Sequence, residues 1–149
     1  MQRHRTRGHT LADLLVALAI VALLATIAVP SYRGHLERAR RAEARAALLA
    51  LAAAQEAHYL ECRRYASALD ADSAPSCDPS LLRLPATTDG GAYTVAITAA
   101  DANGWSAQAT ANPSGAQARD RLCREIRLDS AGHRSARDAD GRSTDSVCW

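Results

Sequence analysis

Two hydrophobic patterns follow one another along the first half of the chain. From Leu14 to Tyr32 no residue is charged, and most are Leu, Ala, Val or Ile. As a helix this run rises roughly 28 Å at about 1.5 Å per residue, close to the hydrocarbon thickness of a bilayer. From Tyr32 onward the apolar positions recur at helical steps: Tyr32, Leu36, Ala39, Ala42, Ala46, Leu49, Ala53, Ala57 and Leu60. That spacing predicts an amphipathic helix over 33–60, with this stripe as the face a sheet would approach. Arg33, Glu37, Arg40, Arg41 and Arg45 lie mostly off the stripe, and the run 38–41 reads as a solvated or headgroup-facing surface, with a nucleic-acid patch as the lesser alternative. Pro30 has no amide hydrogen, so a kink is expected there, with Gly34 as a second soft point.

Beyond Leu60 the helical period stops. Residues 61–91 hold Pro75, Pro79, Pro85, Asp70, Asp72, Asp78 and the pair Gly90-Gly91, a long connection with a short helical turn expected near Ser80–Leu84. Strand alternation follows. Tyr93, Val95 and Ile97 share one face, with Thr94, Ala96 and Thr98 on the other. A turn at 101–104 ends in Asn103-Gly104, a strong hairpin signal. Residues 105–111 alternate again, and 124–128 form a third strand. The tail 133–149 reads as polar and irregular. The fold class is therefore α+β: a long N-terminal helix followed by a small antiparallel sheet.

The apolar run admits two readings. A secretory signal would have a basic start, here Arg3, Arg5 and Arg7, and a small-residue cleavage site such as Thr26-Ile27-Ala28. A retained anchor accounts better for the length, for Asp13 at the near edge, and for a helical pattern that continues past it. Arginine counts do not settle orientation, because Arg33, Arg38, Arg40 and Arg41 follow the run as closely as the leader's three precede it.

Composition narrows the possibilities. The 149 residues leave room, after the helix, for one small head. The formal net charge is +2, falling to about −1 without the first three arginines, so no strong overall field favours nucleic acid. Every basic residue outside histidine is Arg. Four cysteines, Cys62, Cys77, Cys123 and Cys148, lack metal-type spacing and point to disulfides in an oxidising compartment. Three pairings are possible; Cys62–Cys77 with Cys123–Cys148 is the simplest, and each bond would contribute on the order of 3 kcal/mol.

The residues Gly8-His9-Thr10-Leu11-Ala12-Asp13-Leu14-Leu15-Val16, the apolar run and Pro30-Ser31-Tyr32 together resemble the amino-terminal signature of type IV pilins and pseudopilins. The resemblance implies a leader over 1–8, cut between Gly8 and His9 by a prepilin peptidase that also methylates the new amine. It implies a transmembrane and filament-core helix over 9–32, and it makes Asp13 the acid that pairs with a neighbour's amino terminus. His9 stands where the family has Phe, and Asp13 where it has the longer Glu. A shorter reach weakens that pairing and suits a sparse minor subunit. Tyr59, Tyr93-Thr94-Val95, Asn112-Pro113, Gln117, Asp120, Cys123, Ile126, the run 128–132 and Cys148-Trp149 are similar to PilE-type minor pilins. This implies a disulfide-bounded carboxy-terminal region within 92–149, an inner-membrane anchor with a periplasmic head that later joins an extracellular pilus, and a part in a tip or priming complex with other pilins.

Two further functions are weighed against that one. A type II secretion pseudopilin shares the anchor. A DNA- or surface-binding tip receptor would use Arg119, Arg121, Arg124, Arg127, Arg134, Arg137 and Arg142. Asp120, Glu125, Asp129, Asp138, Asp140 and Asp145 interleave these, however, and base-stacking aromatics are few. No cofactor is expected. His58 and Cys62 could share a metal, but no second His or CxxC joins them. His133 beside Asp129 and Ser130 is ordinary company in a polar turn, so no catalytic residue is assigned.

Overall fold

The computed structural model describes residues 11–72 and 81–149, so Gly8, His9 and Cys77 lie outside the described residues. The elements in chain order are α1 (Leu11–Cys62), β1 (Ala68–Leu69), β2 (Leu81–Leu82), β3 (Tyr93–Ala100), β4 (Trp105–Ala111), β5 (Glu125–Asp129), β6 (Arg134–Arg137) and α2 (Asp145–Cys148). The chain divides into two units, Met1–Leu36 and Glu37–Trp149.

The described part of the first unit is helix throughout. Its side chains from Leu11 to Arg33 are all exposed, the large ones running from 46% for Val29 to 77% for Leu11. Pro30 sits within α1, and the helix continues beyond it.

In the second unit, residues 37–62 of α1 pack on a four-stranded antiparallel meander of order β3-β4-β5-β6. Tyr93 faces Ala111 and Ile97 faces Ala107 across the first pair, with a register shift between Ile97 and Ala99. Ala109 pairs with Ile126, and Ile126 in turn with Ala136. One core gathers Ala44, Leu48 and Leu51 from the helix with Tyr93, Val95, Trp105, Ala107, Ala109, Ala111, Ile126, Leu128 and Ala136 from the sheet. Small residues dominate the inner face of β4, so the helix and sheet can come close together. The β3–β4 turn is closed by Asp101, whose Oδ1 accepts from Asn103 N at 2.7 Å and Gly104 N at 3.0 Å. Ser130 Oγ lies 2.6 Å from where a Cβ on residue 104 would stand, so a larger residue there would make the Ser130 hydroxyl turn away.

Four expectations are corrected. The buried face of α1 is Arg41, Ala44, Leu48, Leu51 and Gln55. Ala39, Ala42, Ala46, Leu49, Ala53, Ala57 and Leu60 are exposed, about half a turn of helix away. Both sets recur at helical steps, and the polar members of the inner set disguised it. Residues 38–41 do not form a uniformly solvated surface either, because Arg41 is buried. In place of a helical turn near Ser80–Leu84, Leu81–Leu82 forms a short parallel ladder with Ala68–Leu69, which buries Leu82. Finally, the tail is ordered. β6 extends the sheet through its backbone, and α2 follows Thr144, whose Oγ1 donates to Leu122 O at 2.9 Å. The charged ends of β6, Arg134 and Arg137, suit an edge strand, since charge there discourages pairing with another chain.

Candidate functional site

The structure presents a rod and a clamp. The rod is the first turns of α1, apolar all round, with Asp13 in its first helical turn. Among the described residues α1 is the one helix long and apolar enough to cross a membrane, and its most apolar window is not covered by any part of the protein. A helix that is hydrophobic on every side needs lipid or other helices as its surroundings.

The clamp fastens the head half of α1 to the β4–β5 connection. The Arg41 guanidinium meets Asp120 two-pronged, Nε donating to Oδ2 at 2.7 Å and Nη2 to Oδ1 at 2.8 Å. Asp120 Oδ1 also accepts from Leu122 N at 3.0 Å and Cys123 N at 3.3 Å, and Gln117 Nε2 donates to Oδ2 at 2.6 Å. Burial alone would push the Asp120 carboxyl up. The Arg41 hydrogen bond and charge, with the two amides, outweigh burial and hold the carboxyl below the usual carboxylate range. The same hydrogen bond raises Arg41 despite its desolvation. Tyr93 OH donates to Cys123 O at 2.8 Å, and burial pushes its phenol up to about 12. Next to this network Cys123 and Cys148 form a disulfide with a Cα–Cα separation of 5.8 Å. Arg45 Nη1 donates to Cys148 O at 3.2 Å, tying α2 back to α1.

A smaller lock holds the far end of α1. Gln55 Nε2 donates to Ala66 O at 2.8 Å, and Ala66 N donates to Gln55 Oε1 at 2.9 Å. The helix ends with Arg63 at φ 59°, its amide donating to Tyr59 O at 2.9 Å. Tyr59 and Tyr65 stack beyond it with ring centroids 4.7 Å apart. Cys62 is disulfide-bonded, so its sulfur is no free thiolate for a metal, and His58 Nδ1 lies 3.9 Å from it.

The arginines considered for nucleic acid are dispersed in role. Arg121 pairs with Asp140 at 3.5 Å, Arg142 with Asp140 at 2.8 Å, and Arg127 with Glu125. Arg134 lies over the Trp149 ring at 5.3 Å. Arg119, Arg124 and Arg137 have no acidic partner among the described residues. His133 Nδ1 and Asp129 Oδ2 meet at 2.9 Å, but Ser130 Oγ accepts from Trp105 N at 3.3 Å, so the three form a turn and not a nucleophile with its base. Among the described residues no three His, Cys, Asp or Glu side chains gather as a metal site.

The sequence reading placed Arg41 and Gln55 in no site. The signal that would have found them is the recurrence 41-44-48-51-55, as regular as the stripe that was chosen instead.

Known proteins similar to this chain are pilins and type II secretion core proteins. The family described as "Type IV minor pilin ComP, DNA uptake sequence receptor" has a sequence model that matches residues 30–127. The type IV major pilin protein PilA of Myxococcus xanthus (strain DK1622) is 39% identical over 61 residues, 41% of this chain and 28% of that protein. Type II secretion system core protein G of Klebsiella pneumoniae is 35% identical over 85 residues, 54% of this chain and 61% of that protein. Its counterpart in Pectobacterium carotovorum subsp. carotovorum is 34% identical over 64 residues, 43% and 41% respectively. The chain thus spans between 28% and 61% of the length of these relatives. With the match to the family covering most of its length, including the Arg41–Asp120 clamp, the chain belongs to the ComP family of type IV minor pilins.

Proposed function

We propose that this minor pilin takes part in starting a type IV pilus or in its tip complex, with other pilins as its partners. Before assembly the rod anchors it in the bacterial inner membrane with the head in the periplasm; afterwards sister helices replace lipid around the rod. A prepilin peptidase cuts between Gly8 and His9 and methylates the new amine, and Asp13 receives the amine of a neighbouring subunit. The observation that carries this reading is the uncovered rod, apolar on all sides yet continuous with a helix locked into a folded head. In hydrocarbon a charged carboxylate is stable only with a cation beside it, and the amine of a neighbouring subunit is the cation proposed for the assembled rod. The test is the amino-terminal sequence of the protein from sheared surface filaments. A start at methylated His9 is expected; a start after Ala28, with the rod discarded, overturns the proposal. Deleting the gene separates a pilus subunit, which alters piliation, from a pseudopilin, which alters protein secretion.

A second reading rests on the description of the matching family as a DNA uptake sequence receptor. Among the described residues Arg119, Arg124 and Arg137 are the candidate arginines with neither an acidic partner nor an aromatic ring beneath them, and they are the ones that would meet phosphate. Three phosphate contacts predict a slope of about −3 in log affinity against log salt for duplex DNA. Titration of the full chain in detergent micelles checks it, and a flat response removes this reading.

A further inference from the structure

One groove in the head is unused by the rod, the clamp or the disulfide. Its volume is about 310 Å³, and its walls include Ala47, Ala50, Leu84 and Val95. Two carboxylates, Glu43 and Asp89, line it as well. Asp101, Asp120, Asp129, Asp138 and Asp145 each accept hydrogen bonds within the head. Glu43 and Asp89, by contrast, have no hydrogen-bond or ion-pair partner among the described residues. The wall that carries Asp89 is preformed: Gly91 N donates to Thr88 O at 2.8 Å, and Thr88 N donates to Tyr93 O at 3.0 Å, fixing the turn on β3. The Glu43 carboxylate lies against this turn, with Oε2 3.3 Å from where a Cβ on Gly90 would stand.

We propose that this groove holds an arginine side chain presented by the neighbouring subunit in the filament. Two unpaired carboxylates in an apolar trough call for a cation with an apolar stem. Arginine supplies both, and its guanidinium is more weakly hydrated than an ammonium group, which favours it against an apolar wall. A planar fork also engages two carboxylates with directed hydrogen bonds. Since the wall is already rigid, little ordering opposes docking. The inference rests on the chain being a filament subunit.

The test is a photo-crosslinker, p-benzoylphenylalanine, placed at Ala46 on the exposed rim of the groove, in the full chain expressed in piliated cells. Expected is an adduct, mapped by mass spectrometry, to an arginine-containing segment of a pilin. Its yield should fall about tenfold in Glu43→Gln/Asp89→Asn, with the thermal unfolding of that variant unchanged because both side chains are exposed. Adducts only with phospholipid, with a segment lacking arginine, or with undiminished yield in the double variant overturn the proposal, as does the absence of any adduct. If the chain never enters sheared filaments, the subunit reading falls. An arginine adduct to a pilin in the membrane fraction then supports the groove independently, and its absence there overturns it.

Discussion

The two halves of α1 share one backbone and very different surroundings. Up to Arg33 the described residues are exposed on every side, and the large ones among them are nearly all Leu, Ile or Val. From Glu37 to Cys62 the helix is two-faced, and its inner face includes a buried Arg and a buried Gln. The first half is built for an environment that comes from outside the chain, so apart from Asp13 its aliphatic residues need only be apolar. The second half is built for one particular sheet and loop, so its inner residues are specified one by one. Uniform hydrophobicity makes a rod tolerant of sliding and exchange of partners. A bidentate ion pair and a glutamine clamp fix register, because a small shift leaves charges buried and unpaired.

The largest effect that would break this contrast is at Asp120. Asp120→Ala strands the buried Arg41 charge and is expected to cost about 4 kcal/mol in urea unfolding of the full chain in micelles. Replacing both partners, Arg41→Met with Asp120→Leu, should recover most of it. An equal loss in both variants would mean that the clamp adds no specificity. The same pair sets an acid limit. Asp120 is depressed in the fold, so its contribution is fully present above the unfolded carboxyl value near 4 and is lost as pH falls toward the depressed value. Stability should therefore decline below about pH 4 in the wild type, and the apolar double variant should show a shallower decline.

Next comes the disulfide. Cys123→Ala/Cys148→Ala opens a loop of sequence separation 25 and is expected to cost about 3 kcal/mol, read as a lower urea midpoint. The contrast between faces is sharpened by two adjacent leucines. Leu48 is fully buried and Leu49 is 48% exposed. Leu48→Ala should lose roughly 2–3 kcal/mol, and Leu49→Ala less than about 0.5 kcal/mol. In the rod, Leu18→Ala should leave the head's midpoint where it is and weaken only partition into membranes, measured by flotation with vesicles. The smallest effect is at Arg63. Glycine occupies left-handed backbone without steric cost, so Arg63→Gly should stabilise the helix end by up to about 1 kcal/mol in thermal unfolding, where Arg63→Ala should not.

Much of this was legible in the chain. The rod is visible in a run without charge, and the β3–β4 hairpin in Asn103-Gly104 between alternating segments. Cys123–Cys148 follows from the simplest pairing of four cysteines. β6 was not legible, because Arg134–Arg137 has a single apolar residue, Ala136, and becomes a strand only by hydrogen bonding to β5. α2 is a short helix whose last residue, Cys148, is held by the disulfide, and no local signal announces it.

What the sequence alone determined is therefore the class of each segment: a helix able to live in lipid, a hairpin-based sheet, and an oxidised head. What only the tertiary structure decided is which side of the second half of α1 faces inward. An alanine-rich helix carries two equally regular stripes, and hydrophobicity differs too little between them to choose. The choice was made by Asp120, far along the chain from Arg41, whose carboxylate turns an apparently solvated arginine into the centre of the head.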